Sequence, residues 1–177
     1  MDFFQAVEAR YSHKEMFLPT SVPLEDLEKI ARAGLAAPTG NNAQEVSLVL
    51  LPDRVAIDPL CDVVVTDGLR SAPAAIAVLA DPSIQKEGHN YVMEDCAAAV
   101  ENMLLAATAL GYASVWLDGI FRRPGIQKPV LHALGAPESL YCYAVLPVGK
   151  PEGEGSRRIK RPCEERLSYG LYGTSKP

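Results

Sequence analysis

The chain lacks an excess of positive charge, closely spaced cysteines and a long apolar run. Its 177 residues include 17 Lys and Arg against 22 Asp and Glu, and the net charge of -5 argues against a broad nucleic-acid surface. The cysteines lack the spacing of metal knuckles or CxxC redox sites, so we expect buried, reduced thiols at Cys61, Cys96, Cys142 and Cys163. Asp2 stands where a secretory signal would carry basic residues. These absences favour a cytoplasmic protein with no nucleic-acid or membrane partner.

Recognisable catalytic motifs are also missing. The sequence contains no Gly-x-Ser-x-Gly nucleophile elbow and no Walker phosphate loop, and Gly153-Glu154-Gly155 lacks the strand and helix that flank a dinucleotide-binding turn. The three histidines lie far apart, without metal-ligand spacing, at His13, His89 and His132. Without an acid, base or nucleophile set, either a bound cofactor carries the chemistry or the protein is not an enzyme.

The stretch from Asp95 to Gly111 is rich in alanine and leucine and predicts a helix of about four to five turns. Glu101 and Asn102 are almost its only polar side chains in mid-helix, so its own domain or a second subunit must cover most of its surface. A membrane span would need ~20 apolar residues, and polar groups interrupt this run too early. We therefore expect a long, buried central helix, shared with a partner subunit and followed by a short strand that ends at Asp118 and Gly119.

The rest of the chain alternates short helices and apolar strands. We expect strands at 46–51, 74–80 and 140–148, the first two buried on both faces, and helices at 2–9, from Pro23 to about 35 and near 129–134. Residues 52–70 contain Pro59 and Gly68 and are expected to be loop with at most one short helix. We assign residues 1–177 to one domain, whose tail at 150–177 packs on a surface of its own subunit or of the partner.

Two polar segments carry more hydrogen-bonding groups than their local structure needs. Arg10-Tyr11-Ser12-His13-Lys14 is either a solvated surface or an anion site, because Arg and Ser side chains suit phosphate oxygens. Residues 37–44 predict a turn, yet the hydroxyl and amides of Thr39, Asn42 and Gln44 also suit the edge of a heteroaromatic ring. The residues alone leave both pairs of alternatives open.

Taken in order, these segments resemble the nitroreductase family of FMN-dependent flavoproteins. The matching motifs are Arg10-x-Ser12-x-Lys14, Pro38-Thr39-Gly40-x-Asn42-x-Gln44, Glu101-Asn102-Met103-Leu104-Leu105-Ala106-Ala107, Leu110-Gly111-Tyr112, and Val148-Gly149-x-Pro151 with the later Arg158-x-Lys160-x-Pro162-x-Glu164-Glu165. They span nearly the whole chain. The resemblance implies an α+β fold, with a central, mostly antiparallel sheet flanked by helices, in a homodimer with two FMN sites at the subunit interface.

The resemblance also implies roles for individual residues. Groups from both ends of the chain would hold the FMN phosphate: Arg10, Ser12, Arg158 and Lys160, with Arg157 or Arg161 as alternatives to the last two. Lys14 would lie near the N1–O2 edge of the flavin, and the backbone of Asp118 and Gly119 would meet N5 and O4. The turn of the other subunit would contribute Pro38, Thr39, Gly40 and Asn42 to the site. Gln44 would support these four residues. Tyr91 would either face the flavin as a substrate-contacting residue or pack in the core.

The activity implied is that of an NAD(P)H-dependent oxidoreductase. FMN would take a hydride from NADH or NADPH and pass electrons to a nitroaromatic, a quinone or a similar small-molecule acceptor in a ping-pong mechanism. No catalytic side chain is required, because the chemistry takes place at flavin N5. The alternatives are another flavin-dependent reaction, dehydrogenation or reductive dehalogenation, and a dimeric FMN-binding module without turnover. Lys14 and Lys160 stand where the family frequently has Arg, which keeps the charge but loses bidentate geometry.

Overall fold

A four-stranded antiparallel sheet forms the centre of the fold, with the strand order β1-β2-β4-β3. The computed structural model describes residues 1–84, 88–155 and 157–176. The strands are β1 (Ser47–Leu51), β2 (Ala74–Ala80), β3 (Ala113–Ser114) and β4 (Tyr141–Gly149). β2 is hydrogen-bonded on both sides, and every one of its residues is buried. The expected α+β class and the antiparallel sheet are therefore confirmed.

Six α-helices flank this sheet in the described part of the chain: α1 (Phe3–Ala9), α2 (Leu24–Leu35), α3 (Arg54–Cys61), α4 (Asp67–Ser71), α5 (Val92–Ala109) and α6 (Gln127–Ala133). Because neighbouring residues of a strand point to opposite faces, β2 contributes to two apolar clusters. Ile76 and Val78 pack with α2 and α5 on one face, and Ala75 and Ala77 pack with α3, α4 and α6 on the other. None of the helices within the described ranges is long and apolar enough to cross a membrane.

Helix α5 is the predicted central helix, and it begins three residues earlier than expected, at Val92. One face of it is buried, whereas Met93 and Glu101 are exposed in the single chain. Helix α2 crosses it closely at Gly34, where an added Cβ would lie 2.7 Å from Cγ of Met103. The expectation of a partner subunit assumed that α5 is covered on nearly every side. Within one chain, only the face of α5 toward α2 and the sheet is covered.

The segment 52–70 was predicted wrongly, because it forms two helices instead of a loop. Asp53 caps α3 by accepting a hydrogen bond from the Ala56 N–H at 3.0 Å, and Thr66 caps α4 by accepting one from the Leu69 N–H at 3.2 Å. Pro59 lies inside α3 and removes one helical hydrogen bond. Complete burial of Ile57 and Leu60 against the sheet, about 1.5–3 kcal/mol for each side chain, compensates for that loss.

Two smaller expectations also need correction, and a third stays untested. β1 begins at Ser47 and is only partly buried, since it is an edge strand of the sheet, so burial on both faces holds for β2 alone. Cys163 is exposed, unlike the other three cysteines. The apolar side chains of the tail are also exposed in the single chain, among them Ile159 and Tyr172. That the tail packs on a partner subunit stays a prediction.

Candidate functional site

The two ends of the chain meet in a cleft of about 480 Å³, which we call the cation cleft. Five cationic side chains line it together with Ser12: Arg10, Lys14, Arg157, Arg158 and Lys160. The structure thus brings together Arg10, Ser12, Arg158 and Lys160, the four residues first expected to hold the phosphate, although about 150 residues separate the two ends in sequence. Arg161 does not line the cleft, whereas Arg157 does and also donates a hydrogen bond to the Glu8 carbonyl at 3.0 Å.

Backbone pairing holds the cation cleft together. The His13 N–H donates to the Ser114 carbonyl at 3.0 Å, the Leu18 N–H donates to the Lys150 carbonyl at 2.9 Å, and Ser12 forms a parallel bridge with Ser114. The Tyr11 ring lies against Gly155, where any added Cβ would overlap it, so the start of the tail can approach the N-terminal segment. The sheet therefore fixes the positions of both sides of the cleft.

His13 has a structural role in this arrangement. Its ring is buried, with Nε2 2.9 Å from the Met16 carbonyl, and it packs edge-on against Phe17 with the ring centres 4.6 Å apart. The charge of the cleft comes from its Arg and Lys side chains, opposed by Glu8 and Glu15. Burial raises the pKa of Tyr11, with Glu15 acting in the same direction and Arg157 in the opposite one. An anion is the ligand that this charge distribution favours.

A second cavity of about 330 Å³ lies along residues 115–120, which directly follow β3, and we call it the strand-end cavity. Asp118 and Gly119 line it with the largely apolar side chains of Val115, Trp116, Leu117 and Ile120. Lys14 lines both this cavity and the cation cleft, so the two adjoin at Lys14. Among the described residues, the buried Trp116 Nε1 has no hydrogen-bond partner.

Thr66 and Gly68 also line the strand-end cavity, although neither was predicted as a site residue. Both belong to the segment that was predicted to be loop, and they reach the cavity because α4 begins there. The Thr66 hydroxyl as helix cap was the available signal, since Thr followed by Asp before an apolar residue is typical of a helix start. At Gly119 an added Cβ would meet no described atom within 4 Å, so the cavity is open beside it.

The turn at 37–44 lies elsewhere, and we call residues 38–44 the amide loop. Pro38, Thr39, Asn42 and Gln44 line a third cavity of about 310 Å³, together with Asp95 and Ala99 of α5. Within the described ranges this cavity shares no lining residue with the cation cleft or the strand-end cavity. A single chain therefore places the amide loop in a different cavity from the residues predicted to hold the phosphate and to meet N5 and O4 of the flavin.

The amide loop has a costly backbone conformation. Asn41, Asn42 and Gln44 have positive φ angles of 50°, 53° and 54°. Such conformations cost on the order of 1 kcal/mol or more for a residue with a side chain, less for Asn, and are kept only where the surroundings enforce them. The Gln44 N–H donates to Thr39 Oγ1 at 3.2 Å, which closes the loop on itself.

A buried carboxylate and an aromatic ring enforce the conformation at Gly40. Its N–H donates to both carboxylate oxygens of Asp95, at 2.9 and 3.0 Å. The Tyr91 ring lies so close to Gly40 that an added Cβ would overlap it. Sequence reasoning missed Asp95 as a site residue, although an acid in the first turn of an apolar helix was a visible signal. Tyr91 lines a small cavity beside Gly40 and not the strand-end cavity, and its contact with substrate stays a prediction.

Comparison with known proteins decides the family. The sequence model of the nitroreductase family matches residues 7–66 and 63–150, which is most of the chain. The chain belongs to the nitroreductase family. A protein of Archaeoglobus fulgidus with the provisional name NADH dehydrogenase/NAD(P)H nitroreductase is 39% identical over 132 residues, covering 73% of this chain and 75% of that protein.

Solved structures of the family have the same fold. A provisional nitroreductase of Desulfovibrio desulfuricans, solved in complex with FMN, has a TM-score of 0.81 at 29% identity, over 97% of this chain and 98% of that one. A provisional NADH dehydrogenase/NAD(P)H nitroreductase of Bacteroides thetaiotaomicron has a TM-score of 0.82 at 26% identity, over 96% and 98%. The resemblance inferred from the ordered motifs is therefore confirmed.

Proposed function

We propose that the protein is an FMN-dependent oxidoreductase that takes electrons from NADH or NADPH and passes them to a nitroaromatic, a quinone or a similar acceptor. The observation that carries this proposal is the junction at Lys14 between a cationic cleft and a largely apolar cavity. A flavin mononucleotide has the matching shape, with a phosphate at one end and a flat aromatic ring at the other. One relative is named an NAD(P)H nitroreductase and another was solved in complex with FMN, which supports the same assignment.

The cation cleft fits the phosphate. Arg10, Arg158 and Lys160 supply charge, Ser12 supplies a short hydroxyl, and all four line one cleft. Arg10 Nε is also 3.7 Å from Glu101 Oε1, and the carboxylate neutralises part of the Arg10 charge. The cations of the tail would therefore contribute more to phosphate binding. Arg157 ties the tail to α1 through the Glu8 carbonyl and adds to the positive potential.

The strand-end cavity fits the ring. Trp116, Leu117 and Ile120 provide apolar walls, and the open side at Gly119 lets the backbone approach a flat ligand. Lys14 would stabilise negative charge that develops on the ring during reduction, because a cation beside the ring lowers the energy of that charge. Bound FMN supplies the redox chemistry, accepting a hydride and donating electrons at N5.

A second subunit completes the site in this proposal. The amide loop lines a different cavity from those that would hold the flavin, so its hydrogen-bonding groups would reach the flavin of a partner. Large apolar side chains of α1 and the tail are exposed in the single chain and offer surface for such an interface: Phe3, Phe4, Val7, Leu167, Leu171 and Tyr172. We therefore propose a homodimer, to be tested by light scattering of the flavin-loaded protein.

The proposed kinetics are ping-pong, since donor and acceptor would use the same strand-end cavity in turn. The purified protein should release FMN, and not FAD, on denaturation. Initial rates against NAD(P)H at several acceptor concentrations should then give parallel lines. Intersecting lines would contradict the shared cavity, and a yellow protein without turnover would make this a binding module.

A further inference from the structure

Two buried carboxyl groups meet beneath the amide loop. Asp95 and Glu45 are only 5% and 9% exposed, and both carboxyl groups line one small cavity together with Gly40. Two carboxyl groups enclosed in one buried site repel each other when both are ionised, so one of the two keeps a proton. The cavity that both groups line with Gly40 leaves no space for a water molecule between the described residues.

The proton belongs on Glu45. Burial raises the pKa of its carboxyl, and the hydrogen bond to Asp95 and the Asp95 charge raise it further. Both carboxyl oxygens of Asp95 accept from the Gly40 N–H. An ionised acceptor makes the stronger hydrogen bond, so the negative charge belongs on Asp95. In the described part of the chain Glu45 Oε2 has no partner, which adds to the cost of ionising this group.

The described residues that line the cavity of the pair do not neutralise a second negative charge. A thiol, two phenols and one imidazole face it from α5, from β4 and from the segment before α5: Cys96, Tyr143, Tyr91 and His89. None of these four carries a permanent positive charge. Burial raises the pKa of Cys96 to about 12, so that thiol stays neutral as well.

We propose that Glu45 and Asp95 are positioning residues that share one proton and hold the amide loop, through the Gly40 N–H, in the shape that meets the cofactor. Asp95 provides the direct contact, and protonated Glu45 keeps the Asp95 carboxylate in place by donating to it. The inference rests on the proposed function, since it takes the amide loop as part of a flavin site. It makes that site sensitive to pH through a group that touches neither flavin nor substrate.

The sign of the pH dependence follows from the raised pKa of Glu45. The ordered loop binds this proton more tightly than the disordered loop or the unfolded chain does. Its contribution is complete below the ordinary pKa of a glutamate and is lost as the pH rises through the folded pKa. The amide loop should therefore loosen, and FMN affinity should fall, toward alkaline pH.

The experiment measures the FMN dissociation constant by flavin fluorescence between pH 5.5 and 9. In the wild type we expect it to rise toward alkaline pH, by up to about tenfold per pH unit, the limit for one linked proton. Glu45→Gln keeps a hydrogen-bond donor but cannot ionise, so its profile should lose this rise. Asp95→Asn should bind more weakly at every pH, because the acceptor of the Gly40 N–H loses its charge. Equal pH slopes for the wild type and Glu45→Gln would overturn the proposal.

A control variant and a second measurement separate this inference from the proposed function. Glu94→Gln removes one charge from the same exposed first turn of α5 and should keep the wild-type profile. Infrared spectra at neutral pH should show a protonated carboxyl in the wild type that Glu45→Gln lacks, and exchange of the Gly40 amide should accelerate with pH beyond its intrinsic dependence. If the protein binds no FMN, the proposed function fails. The infrared and amide-exchange measurements would still show whether Glu45 and Asp95 share a proton. Absence of the infrared band would overturn the shared proton.

Discussion

The cation cleft and the amide loop hold their functional groups by different means. Lys14, Arg158 and Lys160 are exposed side chains on segments that backbone pairing joins only at their bases. The amide loop, by contrast, is fixed at Gly40 by a buried carboxylate and an aromatic ring. The cation cleft thus carries its charge on exposed side chains. The amide loop is held in one conformation and has left-handed backbone at three residues.

The difference reflects the ligand groups that each region would meet. Charge attraction to a phosphate acts over several ångströms and tolerates flexible side chains, so the cleft can order when the anion arrives. Hydrogen bonds to a ring edge weaken steeply with distance and angle, so the loop must be ordered in advance. Ordering it beforehand removes that entropy cost from binding. Substitutions in the loop should therefore affect the apoprotein, whereas substitutions in the cleft should affect mainly the complex.

Gly40→Ala should have the largest effect of the three substitutions. The added methyl would overlap the Tyr91 ring, and the Gly40 N–H would move away from Asp95. We expect the free energy of unfolding of the apoprotein to fall by about 3 kcal/mol, the upper part of the range for an overpacked site. Urea unfolding of the flavin-free protein measures this change.

Two controls make the Gly40→Ala result specific. Gly119→Ala adds the same methyl where no described atom lies within 4 Å, so it should leave unfolding of the apoprotein unchanged. Tyr91→Ala should partly rescue Gly40→Ala, because the double variant has room for the methyl. Additive effects of the two substitutions would show that the Tyr91 ring does not limit Gly40.

Lys160→Ala should have an intermediate effect, and only on the complex. Loss of a hydrogen bond to a charged group costs about 1.5–3 kcal/mol, and we expect about 1.5 because Lys160 is exposed. The FMN dissociation constant should thus rise by about tenfold, without a change in unfolding of the apoprotein. Riboflavin, which lacks the phosphate, should bind to wild type and variant equally.

Arg161→Ala is the matched control for Lys160→Ala. It removes a neighbouring charge of the tail that does not line the cation cleft. We expect less than about 0.5 kcal/mol in FMN affinity, with a contribution that salt screens. A larger effect for Arg161→Ala than for Lys160→Ala would mean that the tail contacts the phosphate through different residues when FMN is bound.

The parts of the fold that could be predicted from sequence are those whose signal is local or whose motifs are ordered. β2 is an uninterrupted apolar run bounded by Pro73 and Asp81, and α5 is a long alanine-rich stretch, so both were found. The meeting of Arg10 with Lys160 was predicted from the order of family motifs. Neither residue carries a local signal that would bring the two ends of the chain together.

The features that were missed depend on contacts distant in sequence. Pro59 and Gly68 are local breaking signals, and burial against the sheet outweighed them in α3 and α4. Glu45 appeared to be a polar residue before a strand, because its partner Asp95 lies 50 residues later. Such a buried carboxyl pair has no motif. Only the packing of the loop against α5 shows it.

Tyr91→Phe should have the smallest effect and separates the two roles of this residue. The ring that packs against Gly40 is kept, and Tyr91 is 37% exposed, so we expect changes below about 0.5 kcal/mol in both unfolding and FMN affinity. The measurement is urea unfolding and flavin fluorescence, together with kcat/KM for one quinone and one nitroaromatic acceptor. If stability and affinity stay the same but the ratio of the two kcat/KM values shifts several-fold, the hydroxyl contacts the acceptor. An unchanged ratio would assign Tyr91 to support of the amide loop alone.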